Sequence, residues 1–445
     1  MKILKRLTTK GGINFIGIPM VFETRFGSNN RWGSFPAVSL GWRVSDESFL
    51  QNADWLNDLK LRASFGVTGN NNIGNYPSLS TLTSSNYILG NSFAPGKVLN
   101  SLANRNLGWE ESDQFNYGVD ITILDNTLVF MGEYYKKTTE NMLLPVNIPV
   151  ISGFESTFTN IGKVQNTGIE FALGYRNSIG EDLRIRSNFN ISFNDNEVLA
   201  INDDNDQIRN GGFYGTNNVS QVGRPIGMLH GYRNLGVFNT VDQINSSPTQ
   251  DGAIPGSFIY YDANGDGEIS YDTTDWVEIG NPHPEYVWSF NLGLDYKAFD
   301  FNAILTGAEN YDVYRNIEST TLNLDGVFNV DARAKERWRS AENPGNGRVP
   351  TTTYWKWERE SNSFYVHDAS HIWIKNVSLG YTIPLNPEGA IRNARIYINT
   401  DNLYLFSDFP GGNPQVSTAG GINPGRDDSA YPVPRTVTLG ATLSF

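Results

Sequence analysis

An all-β chain of antiparallel, up-and-down strands is what this sequence predicts, and three observations predict it. Hydrophobic and polar residues alternate at period two through much of the chain. The segments between the alternating runs are short and long by turns. The chain also ends on such a run, RTVTLGATLSF, whose last residue is Phe445. Composition agrees, since 13% aromatic residues and 44 glycines among 445 residues suit strands and turns better than helices.

Residues 1–24 begin like a secretion signal, with a basic start and a mildly apolar stretch. Asn14 and Pro19 interrupt that stretch and no small-residue cleavage site follows. They read as an atypical N-terminus outside the barrel sequence proper, which runs from 25 to 445. From there the strands follow in order. Val38, Leu40, Trp42 and Val44 oppose Ser39, Gly41 and Arg43. Leu59 to Val67 oppose Lys60, Arg62, Ser64 and Gly66, and Phe115 to Ile123 oppose Asn116, Gly118, Asp120 and Thr122. Ile169 to Tyr175 oppose Glu170, Ala172, Gly174 and Arg176, and Ile185 to Phe193 oppose Arg184, Arg186, Asn188, Asn190 and Ser192. Trp288 to Tyr296 form the cleanest run, and Val377 to Tyr381 and Val437 to Phe445 close the series. Weaker runs lie at 127–136, 300–307 and 393–401, giving eleven strands, or twelve if 13–26 contributes one.

The connections decide what kind of β-structure this is. Segments 45–58, 124–126, 177–182, 297–299 and 382–392 are short; 68–112, 137–165, 194–286, 308–370 and 402–433 are long. A soluble sandwich has no reason to place its long loops at one end. An outer-membrane barrel does, with short periplasmic turns and long extracellular loops. No apolar run of eighteen residues exists, so no membrane-spanning helix is predicted. Arg43, Arg62, Asp120, Glu133, Glu170, Arg176, Arg184 and Arg186 fall on the polar faces and are candidates to line a wet lumen. Leu443 and Phe445, on a closing strand that ends in an aromatic residue, are candidates for the barrel-assembly signal. Eleven or twelve strands leave open edges in lipid unless they close a small barrel or belong to a larger one.

Several chemistries are excluded. A net charge of −13 without a basic stripe argues against nucleic acid. Without cysteine there is no disulfide, thiol nucleophile or thiolate metal site. No Ser/His/Asp set, phosphate loop or close carboxylate pair stands out, so no enzyme is predicted.

One loop asks for a cation. In YYDANGDGEISYDTTDW, Asp262, Asn264 and Asp266 fill alternate positions, Gly267 supplies the sharp turn and Glu268 offers its carbonyl. The twelfth position, normally acidic, is Thr273; Asp272 comes one residue early and Asp275 two late. Calcium binding and an Asx-rich turn both fit this spacing. His367 and His371 read as surface or lumen polar residues, and NDDNDQ (202–207) as a solvated loop. The aromatics of YWKWERE (354–360) read as loop packing, with sugar stacking as the other use.

Several stretches resemble one family, the SusC/RagA-type TonB-dependent outer-membrane transporters of Bacteroidota. They are RFGSNNRWGSFPAVSLGWRVSDESFL (25–50), LKLRASFGVTGNNNIGNY (59–76), NRNLGWEESDQFNYGVD (104–120), ISGFESTFTNIGKVQNTGIEF (151–171), DANGDGEIS (262–270), IGNPHPEYVWSFNLGLDYKAFDF (279–301), HDASHIWIKNVSLGYTIP (367–384) and YPVPRTVTLGATLSF (431–445), in the family's order. The resemblance implies the C-terminal half of a barrel of about 22 strands, with a plug and a TonB-contacting segment preceding it, neither of which is recognisable in this sequence. It further implies import of oligosaccharide or peptide with a SusD-like surface lipoprotein, energised by TonB-ExbB-ExbD, in the outer membrane. The rival readings are a secreted calcium-binding β-protein, such as a carbohydrate-binding module, and a small passive outer-membrane barrel.

Overall fold

The computed structural model describes the chain apart from residues 1–3, 10–11, 18, 28, 76–77, 100–101, 148–150, 152, 155, 202–206, 213–214, 271–272, 323, 325–328, 353–359, 387–389 and 419–420. It divides into two compact units, Met1–Tyr175 with Asn194–Asp206, and Arg176–Phe193 with Gln207–Phe445.

The first unit is built on a meander of β1 (Leu4–Thr9), β2 (Gly12–Gly17), β3 (Ala37–Arg43), β4 (Leu56–Asn70), β5 (Glu110–Ile123), β6 (Leu128–Glu140) and most of β7 (Lys163–Ile179). Each strand pairs antiparallel with the next. The second unit repeats the plan with most of β8 (Leu183–Ala200), then β9 (Tyr286–Tyr296), β10 (Phe299–Glu309), β11 (His371–Ile383), β12 (Asn393–Phe406) and β13 (Thr436–Ser444). These too pair in sequence order.

Eleven of these thirteen strands coincide with the alternating runs. Of the other two, β2 overlaps the 13–26 stretch that offered a twelfth strand, and β1 is a thirteenth that corrects the count. Their sequences LKRLTT and GINFIG are six residues each and too irregular to show a period.

Register proves the two-faced character of the wall. In the first unit Leu40, Ala63, Tyr117, Tyr134 and Ile169 stand directly opposite one another across five strands. The next row on that face is Trp42, Leu61, Val119, Gly132 and Phe171. The intervening row, on the other face, is Gly41, Arg62, Gly118, Glu133 and Glu170. In the second unit Ile185, Leu294, Phe301, Leu379, Ile398 and Leu439 form one apolar row. A slip of one residue would send each of these rows to the wrong face, so the alternation itself specifies the register.

That face has no protein covering over much of its extent. Leu439 is 79% exposed and Val437 60%. Apart from Trp373 on β11, the buried aromatics among the described residues lie elsewhere, in the connections. Tyr232, Phe258, Tyr260, Tyr314 and Tyr365, with Leu229, Val237 and Ile269, make one core from the 201–285 and 310–370 connections of the second unit. A second core packs Tyr311, Val313 and Ala369 with Phe409 and Val416 from the 407–435 connection. In the first unit Phe26, Phe35, Ile73, Leu107 and Trp109 form a smaller one.

Candidate functional site

Two neighbourhoods carry polar chemistry: the polar face of the strands and the packed connections. On the polar face, charges are matched across strands. Arg62 Nε and Nη2 donate to the two Asp120 oxygens at 2.9 and 3.0 Å, and Nη1 donates to Glu133 at 3.1 Å. Arg43 Nε donates to Asp58 at 2.8 Å. In the second unit Arg186 Nη2 reaches both oxygens of Asp295, and Arg395 grips Asp300 through Nε and Nη2. Two glycines make these crossings fit. A Cβ on Gly118 would sit 2.7 Å from the Arg62 guanidinium, and one on Gly380 would sit 2.3 Å from Arg395 and 2.4 Å from Asp300.

Five sequence-predicted residues therefore meet in ion pairs: Arg43, Arg62, Asp120 and Glu133 in the first unit, Arg186 in the second. Glu170 shares the Arg62 and Glu133 row. Arg176 and Arg184 are exposed and, among the described residues, enter no ion pair. Leu443 lies on β13 opposite Ala394, and Phe445 follows the strand, 77% exposed.

In the connections the chemistry is buried. Glu318 is fully inaccessible and takes Arg315 at 2.5 Å, Arg333 at 2.6 Å and His367 at 2.9 Å. Arg315 also reaches Asp427 at 3.3 Å, tying the 310–370 connection to the 407–435 connection. Burial works to raise the Glu318 pKa, but the His367 and Arg333 contacts outweigh it and hold the carboxyl below its ordinary range. His367 is thus half of a carboxylate pair. His371 Nδ1 donates to the Ala369 carbonyl at 3.0 Å, and its Nε2 accepts from Gln415 at 3.1 Å, so the two histidines do not converge on a metal. No sequence signal marked Glu318, because these connections have no periodicity; Arg315, one helical turn before it, was the available hint.

The DANGDG loop is held by its own backbone. Asp262 accepts from the N–H groups of Gly265 and Gly267 at 2.7 and 2.9 Å, Asn264 from Asp266 at 2.9 Å, and Asp266 from Glu268 at 2.8 Å. Gly265 and Gly267 adopt φ of +75° and +83°, which L side chains resist. Asp275, fully buried, closes the loop by accepting from Ala263 and Ser270 N–H at 3.0 and 3.2 Å. Thr273 is left-handed at φ +72°, and its hydroxyl accepts from Arg209 at 3.2 Å. Among the described residues no three acidic or histidine side chains gather to metal-binding distance. These hydrogen bonds are those of a self-capped Asx turn. Asp272 lies outside the described residues, as do most of NDDNDQ and the aromatics of YWKWERE.

A meander wall with an uncovered apolar face, a polar face of matched charges and long connections folded into cores defines the wall of an outer-membrane-type β-barrel. Residues 19–403 match the family described as TonB dependent receptor-like, beta-barrel, and the chain belongs to it. TonB-dependent receptor P3 of Formosa agariphila is 31% identical over 437 residues, covering 95% of this chain and 43% of that protein. TonB-dependent receptor SusC of Bacteroides thetaiotaomicron is 28% identical over 443 residues, covering 95% of this chain and 41% of its own length. The fold is shared with the RagAB peptide transporter structure at a TM-score of 0.81 and 24% identity, over 98% of this chain and 46% of that one. The chain spans less than half the length of the curated relatives it matches.

Proposed function

We propose that this chain supplies barrel wall and outer loops to a SusC-like TonB-dependent transporter of the outer membrane. Oligosaccharide or peptide is captured on the long-connection side with a SusD-like surface lipoprotein, and TonB-ExbB-ExbD supplies the work of import through the plug that such transporters carry. The long connections are extracellular, the short turns periplasmic, and Arg62, Asp120 and Glu133 face the lumen. No bond is made or broken. The relatives named for TonB support this reading. The observation that carries it is the register, which puts large apolar side chains on one uncovered face across both runs of strands.

The test is physical. The purified chain is expected to require detergent and to migrate differently on a denaturing gel before and after boiling. Solubility without detergent and unchanged migration would turn the reading toward the secreted β-protein. Steady ion conductance of the chain alone in a planar bilayer would favour the passive barrel. For the DANGDG loop, we read a rigid external turn. Calorimetric titration with Ca2+ is expected to give only background heat, whereas stoichiometric binding assigns a cation to Asp262 and Asp266.

A further inference from the structure

We infer that a hairpin in the connection between β4 and β5 is a self-association surface: its strand Leu82–Leu89 pairs edge to edge with the same strand of a second copy of this chain. The hairpin joins Leu82–Leu89 to Ser92–Leu99 through the two-residue loop of Gly90 and Asn91. Among the described residues no third strand pairs with it. Leu82, Tyr87, Ile88, Leu89 and Phe93 are all well exposed. A two-stranded ribbon carrying such side chains is marginal in water and gains from further strands.

The two edges of the ribbon differ. Leu89 and Ser92 close the two-residue loop as a hydrogen-bonded pair, and Pro95, which has no N–H, falls in the non-bonded pair with Asn86. Thr83, Ser85, Tyr87 and Leu89 therefore bond within the hairpin, and the N–H and C=O groups of Leu82, Ser84, Asn86 and Ile88 point outward. Those outward groups take no backbone partner among the described residues. On the opposite edge Pro95 removes the central donor and Lys97 adds a charge, two devices that keep other strands away. The edge LTSSNYIL has neither proline nor charge.

The open edge is complementary to itself. Turned antiparallel about a twofold axis at Ser85, Leu82 meets Ile88 of the second copy, Thr83 meets Tyr87, and Ser84 meets Asn86. Apolar side chains fall on apolar ones, hydroxyl falls on amide, and no charges are brought together. The same register sets outward-pointing residues against outward-pointing residues, so each such pair exchanges two backbone hydrogen bonds. A register shifted by one residue would set outward groups against inward ones. A twofold contact of this kind is isologous and closes at two copies.

The absence of cysteine makes the register testable, because an introduced thiol is unique. Ser85 would face its own copy in a non-hydrogen-bonded pair, with Cα atoms ~4.5 Å apart and within disulfide reach. Asn91, at the exposed loop, would lie ~40 Å from its copy. Full-length Ser85→Cys in detergent, oxidised with copper phenanthroline, is expected to run mostly at twice the chain mass on a non-reducing gel. Asn91→Cys should link at least tenfold less. Adding Asn86→Pro, which like Pro95 leaves the hairpin's own bonds intact, or Asn86→Lys should lower the Ser85→Cys link at least tenfold. No link through Ser85→Cys, equal linking of Asn91→Cys, or a link that survives both Asn86 changes would overturn the pairing. A dimer held together elsewhere also overturns it, since sedimentation would then show doubled mass without the Ser85→Cys link.

Discussion

The strand wall and the packed connections of the second unit are inside-out relative to each other. In the wall, large apolar side chains such as Leu379 and Ile398 stand well exposed on the apolar face. In the connections, Phe258 is fully buried, Tyr260 nearly so, and Glu318, a full charge, is fully enclosed with them. The difference lies in solvent. A wall that meets lipid keeps its apolar groups outside and satisfies its backbone by strand pairing. Connections that meet water must bury apolar groups in cores, like any soluble domain. One chain therefore carries two folding logics, interleaved hairpin by hairpin.

The largest expected effect falls on the connections. Phe258→Ala should destabilise their core by about 3–5 kcal/mol, as a buried Phe truncation does. Limited proteolysis should then cut within 201–285 while the strands stay protected; protection throughout would mean that this core is not independent of the wall. Next comes Glu318→Ala, at about 3 kcal/mol, because Arg315 and Arg333 lose the carboxylate that balances them. The same group sets a pH dependence. Its folded pKa lies below the ordinary 4.5, so its contribution is fully present above pH 4.5 and is lost as pH falls through the folded value. Unfolding midpoints measured from pH 7 to pH 3 should drop more steeply in wild type than in Glu318→Gln.

On the wall, Leu439→Arg should cost about 2–4 kcal/mol in a bilayer if it sits near mid-depth. The same change at a 79% exposed site on a soluble protein would be nearly neutral. Denaturant unfolding in lipid vesicles decides between them, and a neutral result would remove the inside-out contrast. The smallest effect, about 1–3 kcal/mol, is expected for Gly380→Ala, whose added Cβ must push aside the Arg395–Asp300 pair. Combining it with Asp300→Asn should recover part of that loss, as a double-mutant cycle would show.

Legibility in the sequence followed the same division. Alternation located eleven strands, and the rhythm of the connections located their long and short ends. Polar-face residues such as Arg62 and Asp120 were visible because period two assigns a face to every residue. Their pairing was not visible, since Arg62 and Glu133 are brought together only by strands β4, β5 and β6 lying side by side. Asp275 appeared as a misplaced ligand in a cation loop, whereas the structure makes it the buried staple that closes the loop from behind.

By itself, then, the sequence determined the wall: period two, turn chemistry and loop rhythm are local properties, and an apolar face can be read without knowing what it touches. Tertiary structure alone decided the connections. Arg315 and Asp427, or Tyr232 and Tyr260, come from separate stretches of the connections, and no local periodicity announces such meetings. Irregular backbone acquires its cores and buried charges only when distant segments supply one another's missing partners.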